Sequence, residues 1–252
     1  MTRGVTVVKV GGNEVEDAVW VRRLAGRLSA CSPLVVVHGG GREVSALQRR
    51  FGVEPEWRDG LRVSTAETVQ VASMVLSGVV NKRLVGALQD AGIDAIGVSG
   101  EDGALVMAEP ALGGALGRTG VVASVRAALL ESLLGLGLVP VLSPISRGTD
   151  GAPLNVNADD VASAVACALA AERLLFVSNV AGVLLDDEAV TELDGDRVEA
   201  LIAGGFVRDG MAPKLRAAAR ASSAGVADVR IGGLDLLAAV GGTRIRPAAV
   251  LA

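Results

Sequence analysis

An apolar, β-branched run at the beginning of the chain predicts its first strand. Val5, Val7, Val8 and Val10 leave almost no polar face, which is typical of a parallel-sheet strand covered by helices on both sides. Apolar residues then recur at helical spacing over residues 14–30. Similar buried strands are predicted at 33–38, 95–98, 139–142, 174–177 and 229–231. This alternation predicts an α/β fold around a mainly parallel sheet.

The remaining segments are predicted from periodicity and turn residues. Helices are expected at 66–89, 129–136, 161–171, 193–203 and from about 209 to 221. Asp59-Gly60 indicates a turn or hairpin within residues 57–65. The glycine- and alanine-rich stretch 104–124 is expected to include strands of a small side sheet. A second lobe is predicted to begin near Glu172, which divides the chain into lobes of residues 1–171 and 172–252.

Composition narrows the functional classes. Half of the 252 residues are hydrophobic but only 2% are aromatic, so small aliphatic side chains must pack the core. A net charge of −4 leaves no basic face large enough for a nucleic-acid backbone. Cys31 and Cys167 lie far apart in apolar helical contexts, which predicts buried thiols in a reducing compartment, the cytoplasm. There is no signal-peptide pattern and no uninterrupted apolar run of about 18 residues, so no membrane association is expected.

Two successive strands end in glycine clusters that open helices. Lys9 is followed by Gly11-Gly12, and His38 is followed by Gly39-Gly40-Gly41. In a parallel sheet both turns lie at the carboxyl edge, where backbone N–H groups bind anions. The spacing matches neither a dinucleotide fingerprint nor a Walker P-loop. The repetition favours a phosphate site, although a lysine that reaches solvent beside a plain tight turn explains either cluster alone.

Two polar residues near these turns have competing interpretations. His38 is the only histidine, and it has no histidine or cysteine partner for metal or nucleophile chemistry, which favours a structural role at a strand end. Arg62 follows the predicted turn, where its guanidinium is suited to a carboxylate of a ligand. A solvated hairpin arginine explains the same position equally well.

A polar cluster leads into the helix predicted from Val161. Either Asn157 or Asp159 is a suitable N-cap, but this role does not explain the whole cluster, which also contains Asn155 and Asp160. Successive helical residues differ by about 100°, so only one of the two aspartates is expected to face a site. Lys214 is predicted in the first turn of a later helix, where a cation opposes the helix dipole and requires an anion nearby.

This set of residues fits phosphoryl transfer. The transition state spreads negative charge over the moving group, and catalysis is mainly positioning plus stabilisation by cations and N–H groups. Two lysines, three glycine-rich turns, an asparagine and aspartate cluster and an arginine supply those groups. A carboxylate acceptor has a pKa near 4 and needs no general base at neutral pH, which accounts for the lack of a catalytic histidine.

Six motifs in order resemble those of the N-acetylglutamate kinases, within the amino-acid kinase superfamily. They are Lys9 with Gly11-Gly12, His38-Gly39-Gly40-Gly41, Gly60-Leu-Arg62-Val, Asn81-Lys82, Asn155-Val-Asn157-Ala-Asp159 and Gly210-Met-x-Pro-Lys214. The resemblance covers residues 5 to about 245. It implies a three-layer αβα sandwich, with an N-terminal lobe for the acylated amino acid and a C-terminal lobe for ATP. It also implies transfer of the γ-phosphoryl group to the side-chain carboxylate of N-acetyl-L-glutamate, a step of arginine biosynthesis.

The resemblance further assigns roles by position. The implied catalytic residues are Lys9 and Lys214, which neutralise the phosphoryl group, and Asp159, which orients the lysines. The implied acceptor-binding residues are Gly40, Gly41, Arg62 and Asn155. The implied phosphate- and ATP-binding residues are Gly11, Gly12, Ser178, Asn179, Gly182, Leu184 and Met211. Mg²⁺ is expected to be carried by the nucleotide, with no metal ligand from the protein.

Two departures from the family pattern leave alternatives open. Asn179 stands where the family more often has aspartate, and Ser178-Asn179-Val resembles kinases that act on carrier-bound 2-aminoadipate. Those relatives usually lack the triple glycine and the Met-x-Pro-Lys ending found here. Arginine-inhibited members carry an extra N-terminal helix that builds a hexamer, whereas this chain starts at its first strand, so an arginine-insensitive homodimer is expected. A non-catalytic ligand sensor is the alternative from another class.

Overall fold

The chain folds into one large sheet with helices on both faces. The computed structural model describes residues 4–31, 33–58, 60–185, 188–207 and 210–248. Its strands are β1 (Thr6–Val10), β2 (Leu34–His38), β3 (Trp57–Arg58), β4 (Leu61–Arg62), β5 (Ala95–Gly100), β6 (Val106–Pro110), β7 (Thr119–Val125), β8 (Val139–Gly148), β9 (Pro153–Val156), β10 (Arg173–Val177), β11 (Val183–Leu185), β12 (Glu188–Val190), β13 (Glu192–Asp194), β14 (Asp228–Gly232) and β15 (Thr243–Arg246). Its helices are α1 (Ala18–Leu28), α2 (Gly41–Arg50), α3 (Ala66–Ser73), α4 (Asn81–Asp90), α5 (Ala127–Gly135), α6 (Ala158–Ala168), α7 (Gly195–Ala203) and α8 (Met211–Ser223).

The main sheet has eleven strands within the described residues, and β1 lies near its centre. Its order is β13-β15-β14-β10-β1-β2-β8-β6-β7-β9, with β5 also paired to β8. The pairs of β1 with β10 and β2 are parallel, as are those of β10 with β14 and β2 with β8. Among the described residues, the antiparallel pairs of this sheet join β14 to β15, β6 to β7, and β8 to β9. The predicted mainly parallel sheet is therefore confirmed.

The alternation of side chains along β1 separates two cores. Val7 packs in one apolar cluster with α5 to α8, whereas Val8 and Val10 pack in a second cluster with α1 to α4. Because side chains alternate along a strand, Lys9 lies on the same face as Val7 and meets α6 and α8. The structure thus has the predicted three layers, α, β and α. The side of the sheet on which Lys9 lies therefore determines which helices can contribute residues to a site around it.

The predicted division into lobes is not tested by this architecture. Strand β10, from the predicted second lobe, pairs along its whole length with β1 from the first. Both lobes therefore contribute to one continuous sheet. A boundary between residues 171 and 172 stays a prediction.

The helix predicted at 66–89 is one continuous helical segment from Ala66 to Asp90. It consists of α3, a π-helical stretch over Met74–Val80, and α4. The segment is long and apolar enough, by length and composition, to cross a membrane, with a mean hydropathy of 1.3 in its most apolar window. Half of that window is buried inside the protein, and Ala72, Leu76 and Leu84 belong to the core. This burial is typical of a core helix.

Several local predictions are corrected by the structure. The stretch 104–124 does not form a separate side sheet, because β6 pairs with β8 and extends the main sheet. The strand predicted at 139–142 continues as β8 to Gly148. Cys31 and Cys167 are half-buried rather than buried, although neither forms a disulfide. The hairpin predicted within 57–65 is present as β3 and β4, while Asp59 of its turn lies outside the described residues.

Candidate active site

A cleft of about 900 Å³ opens where β1, β2 and β10 end. The residues that follow these three strands line it, including Gly11, Gly40 and Ser178. Helices α6 and α8 contribute Asp159 and Lys214 from the opposite side. The cleft lies at the carboxyl edge of the parallel strands, as predicted from the glycine clusters. β1 and β2 each end in a turn that leads to a helix, whereas the loop after β10 leads to β11.

The two glycine turns touch each other at the floor of the cleft. A Cβ atom on Gly12 would lie 2.6 Å from the backbone nitrogen of Gly40. A Cβ atom on Gly40 would lie 2.7 Å from Cδ2 of Leu76, in the π-helical stretch. At Gly12 the close atom is backbone, so no side chain fits there, whereas at Gly40 the Leu76 side chain would have to shift. Close approach of the two turns therefore requires glycine at position 12, and the positive φ of +155° favours glycine at position 40.

Two lysines converge on one carboxylate oxygen. The ammonium nitrogen of Lys9 lies 2.8 Å from Oδ1 of Asp159, and that of Lys214 lies 4.0 Å from the same atom. Lys9 comes from the central strand, Asp159 from the first turn of α6 and Lys214 from the first turn of α8. All three side chains are at most 12% exposed. The predicted convergence of the lysines is therefore present in the structure.

Burial and charge set the ionisation of this cluster. Burial alone would raise the pKa of Asp159, but Lys9 and then Lys214 hold it below its ordinary value. Burial, followed by the charge of Lys9, lowers the pKa of Lys214 to about 8. The negative charges of Asp159 and, to a smaller extent, Glu14 offset this lowering only in part. A further anion close to Lys214 would stabilise its charged form.

The polar cluster ahead of α6 separates into distinct roles. Asn157 is the N-cap, because its side chain accepts a hydrogen bond from the backbone N–H of Asp159 at 2.8 Å. Asp159 points into the cleft, whereas Asp160 pairs with Arg220 of α8. The prediction that one aspartate faces the site is confirmed. Asn155 also lines the cleft, and its amide donates to Ser64 Oγ at 3.2 Å.

Arg62 lies in the same cleft and is buried. Its guanidinium donates to Gln48 Oε1, to the carbonyl oxygen of Gly41 at 2.9 Å and to Ser45 Oγ at 2.8 Å. The ring of Trp57 lies 4.4 Å from the guanidinium carbon. Arg62 is 5% exposed, which rules out the alternative of a solvated hairpin arginine.

His38 supports the glycine turn from inside the protein. It is fully buried, and its Nδ1 lies 2.8 Å from the carbonyl oxygen of Gly39. Its Nε2 lies 3.2 Å from the amide nitrogen of Asn81. That amide also donates to the carbonyl oxygen of Val141 in β8. Burial lowers the pKa of His38 to about 4, so the ring is neutral at pH 7 and has the structural role favoured by the sequence.

The residues predicted for the nucleotide are only partly brought together. Ser178, Asn179 and Met211 line the cleft, as does Gly12 beside Gly11. Gly182 and Leu184 do not line it: a Cβ atom on Gly182 would meet Thr243 Oγ1 at 2.8 Å, and Leu184 is exposed in strand β11. Their roles stay predictions.

Other cleft residues were not found from the sequence. Glu14 is buried just after Gly12, and its Oε1 accepts from the backbone N–H of Asn179 at 3.2 Å. It thereby joins the turn after β1 to the turn after β10. Trp57, which lines the cleft, and Gln48, which does not line it but accepts a hydrogen bond from Arg62, were missed as well, because an aromatic in a hairpin and a glutamine on a helix have no distinctive spacing. An acidic residue so soon after two glycines was the single available signal.

Comparisons with known proteins agree with this geometry. Residues 4–233 match the family model described as the amino acid kinase family. A Chloroflexus aurantiacus protein named acetylglutamate kinase is 48% identical over 231 residues, which cover 90% of this chain and 91% of that protein. A Roseiflexus protein of the same name is 46% identical over 246 residues, covering 96% and 94%. A crystal structure from Streptococcus mutans superposes with a TM-score of 0.85 at 30% identity, covering 96% of this chain and 98% of that one. The chain belongs to the amino acid kinase family.

Proposed function

We propose that this protein is an acetylglutamate kinase, which transfers the γ-phosphoryl group of ATP to the side-chain carboxylate of N-acetyl-L-glutamate. The product is an acyl phosphate, N-acetyl-L-glutamyl 5-phosphate, and the step belongs to arginine biosynthesis. The observation that carries the proposal is the convergence of Lys9 and Lys214 on Asp159 in a cleft that also contains the buried Arg62. The relatives named acetylglutamate kinase support it over nearly the whole chain.

The lysine cluster suits the charge that moves in this reaction. The bond between the γ-phosphorus and the bridging oxygen breaks, ADP leaves, and a carboxylate oxygen of the acceptor forms the new bond to phosphorus. Lys9 and Lys214 stabilise the negative charge on the transferred group, and Asp159 holds both ammonium groups in place. Backbone N–H groups of the Gly11 and Gly40 turns add donors at the cleft floor.

The donor set of the cleft fits a nucleotide that brings its own metal ion. Among the residues that the structure describes, no group of three His, Cys, Asp or Glu side chains could hold a metal. The cleft instead offers ammonium groups and glycine N–H groups, which suit phosphate oxygens. Mg²⁺ bound to the phosphates of ATP would neutralise part of their charge. Ser178, Asn179 and Met211 are proposed to contact the nucleotide.

The acceptor is proposed to lie between the glycine turn and β9. Arg62 binds the carboxylate that does not react, because a buried guanidinium without a protein carboxylate favours an anion. Asn155 is within reach of the same space and provides an amide donor. Gly40 and Gly41 supply N–H groups to the acceptor from the other side.

We further infer a cytoplasmic homodimer. Apolar side chains on the outer helical layer, Met74 at 48% exposure and Val79 at 50%, are suited to a contact between two copies. Gel filtration with light scattering is expected to give the mass of two subunits. A mass of six subunits would contradict this inference.

The central experiment is an acceptor panel in which ADP release is measured together with trapping of the acyl phosphate by hydroxylamine. N-acetyl-L-glutamate is expected to be the best acceptor, and N-acetyl-L-glutamine, which has an amide in place of the reacting carboxylate, is expected to be inactive. A preference for succinylated or carrier-linked acceptors would replace the proposed substrate. Tight ligand binding with no turnover on any acceptor would instead indicate a sensor.

A further inference from the structure

The surroundings of Arg62 are unusual because every protein group that holds it is neutral. Its three hydrogen-bond acceptors are an amide oxygen, a backbone carbonyl oxygen and a hydroxyl oxygen, from Gln48, Gly41 and Ser45. None of the ion pairs formed by the described residues includes Arg62. A buried charge normally requires a charged partner or a complete set of hydrogen bonds. Here hydrogen bonds alone hold the guanidinium.

Gln48 is the residue that fixes this arrangement. It is 2% exposed, and it makes a hydrogen bond at both ends of its amide. Its Oε1 accepts from Arg62 at 2.5 Å, and its Nε2 donates to Thr68 Oγ1 at 3.2 Å. The amide therefore joins α2, β4 and α3. With both ends engaged, the oxygen is held toward Arg62.

Beyond hydrogen-bond distance, the charged group that acts on Arg62 is also positive. Burial first, and the positive charge of Arg49 second, lower the pKa of Arg62 to about 10. The group remains a cation at neutral pH. Arg49 lines the same cleft, and its own ion pair is with Glu54 outside the cleft. An incoming carboxylate therefore meets a guanidinium whose charge no protein carboxylate has already satisfied.

A glutamate would hold Arg62 at least as firmly as Gln48 does. It has the same shape, it would accept from the guanidinium with a charged oxygen, and the Thr68 hydroxyl could donate to its other oxygen. Structural support alone therefore gives no reason for an amide here. The charge of the side chain does give a reason, because a carboxylate at this position would neutralise the guanidinium before any ligand arrived.

We propose that Gln48 is a positioning residue whose neutral amide orients Arg62 while leaving its charge available to the non-reacting carboxylate of the acceptor. Gln48 thus determines specificity for anionic acceptors without contacting the reacting atoms. The inference rests on the proposed function, since it assigns Arg62 to the acceptor.

The test is the nearly isosteric substitution Gln48→Glu, with Gln70→Glu as the matched control. Gln70 lies exposed on α3 and does not line the cleft, so the control adds the same charge on a neighbouring helix without touching Arg62. Gln48→Glu is expected to raise KM for N-acetyl-L-glutamate about tenfold or more, since the acceptor must displace an internal ion pair. KM for ATP and kcat should change little. The control should match the wild type in all three constants.

Acceptor binding can also be followed without turnover. The sequence has two tryptophans, and Trp57 lies directly over Arg62. Its fluorescence is expected to change as N-acetyl-L-glutamate binds, and the Gln48→Glu titration should shift to higher concentration by the same factor as KM. The melting temperature of the variant should equal or exceed that of the wild type. Unchanged KM and unchanged titration in a folded Gln48→Glu protein would overturn the proposal.

Two further variants serve if Gln48→Glu does not fold and separate this inference from the proposed function. If Gln48→Glu does not fold, Gln48→Met is titrated instead, and a wild-type affinity for the acceptor would overturn the proposal. Arg62→Gln separates this inference from the proposed function. A wild-type acceptor KM in Arg62→Gln would refute the assignment of Arg62, whereas a raised KM there together with an unchanged KM in Gln48→Glu would refute only the role of Gln48.

Discussion

The two cationic regions of the cleft are built in opposite ways. On the side of α6 and α8, Lys9 and Lys214 share a carboxylate oxygen of Asp159. On the side of α2, Arg62 is held by neutral oxygens, those of Gln48 among them. Both regions are buried and both face the same space. The lysine region contains a protein carboxylate that pairs with its cations, whereas the hydrogen-bond partners of Arg62 are all neutral.

The difference follows from the number of like charges that each region must hold together. Two buried ammonium groups repel each other, so they stay close only with an anion between them; Asp159 is that anion, and Glu14 adds a second negative charge nearby. A single guanidinium has no such neighbour at contact distance. Its five donors allow neutral acceptors to position it, so the full charge stays available to a carboxylate. The two lysines therefore need a protein carboxylate to stay close together. Arg62 can bind a ligand carboxylate because no protein carboxylate already pairs with it.

Removing either lysine should give the largest effect. We expect Lys9→Ala and Lys214→Ala each to lower kcat about 10³-fold with modest changes in KM, because each removes a cation that acts on the transferring group. Steady-state kinetics with both substrates measures this. Arg23→Ala, at an exposed cation of α1 that does not line the cleft, is the control. Wild-type turnover in Lys9→Ala or Lys214→Ala would contradict the assignment.

Removing the shared carboxylate tests the lysine side as a structural unit. We expect Asp159→Asn to lower the free energy of unfolding by about 3 kcal/mol, because it leaves two buried cations without their anion. This loss lies at the lower end of the range for removing one partner of a buried ion pair, since Lys214 can become neutral by releasing its proton. Urea denaturation measures the change. Asp160→Asn removes only a partner of the half-exposed Arg220 and should cost about 1 kcal/mol or less.

The lowered pKa of Lys214 predicts a pH dependence. A lysine is charged below its pKa and neutral above it, so kcat/KM for ATP should fall as the pH rises through about 8. Lys214→Arg retains its charge at all accessible pH values and should remove this decline, even where its overall rate is lower. Rates measured from about pH 6 to 9.5 would cover both sides of the transition. A wild-type profile that stays flat across this range would contradict the expectation.

The smallest effect is expected on the arginine side. Trp57→Leu removes the ring that covers the guanidinium but leaves its three hydrogen bonds, so KM for the acceptor should rise about two- to fivefold. Trp57→Phe keeps an aromatic face and should fall between the wild type and the leucine variant. A larger effect than that of Gln48→Glu would mean that the ring, rather than the amide, positions Arg62.

Much of the fold and part of the site could be predicted from the sequence. The buried strand runs, the glycine clusters after β1 and β2, and the lysine in the first turn of α8 all have local physical causes. The convergence of Lys9 and Lys214 was implied by the resemblance to the family motifs, and the position of Lys214 in a first helical turn separately indicated that it needs an anion. The predictions for 104–124 and for buried cysteines were wrong because pairing partners and burial there depend on distant strands and helices.

The sequence by itself determined most elements of this protein and the need for charge compensation at Lys214, because hydrophobic period, turn chemistry and the helix dipole act locally. Only the tertiary structure gave the distances from Asp159 to the two lysines and decided that Glu14 joins two turns and that Gln48 holds Arg62. Those contacts link residues far apart in the chain. Their geometry depends on sheet order and on which face of β1 each helix covers, and neither is encoded in the spacing of neighbouring residues.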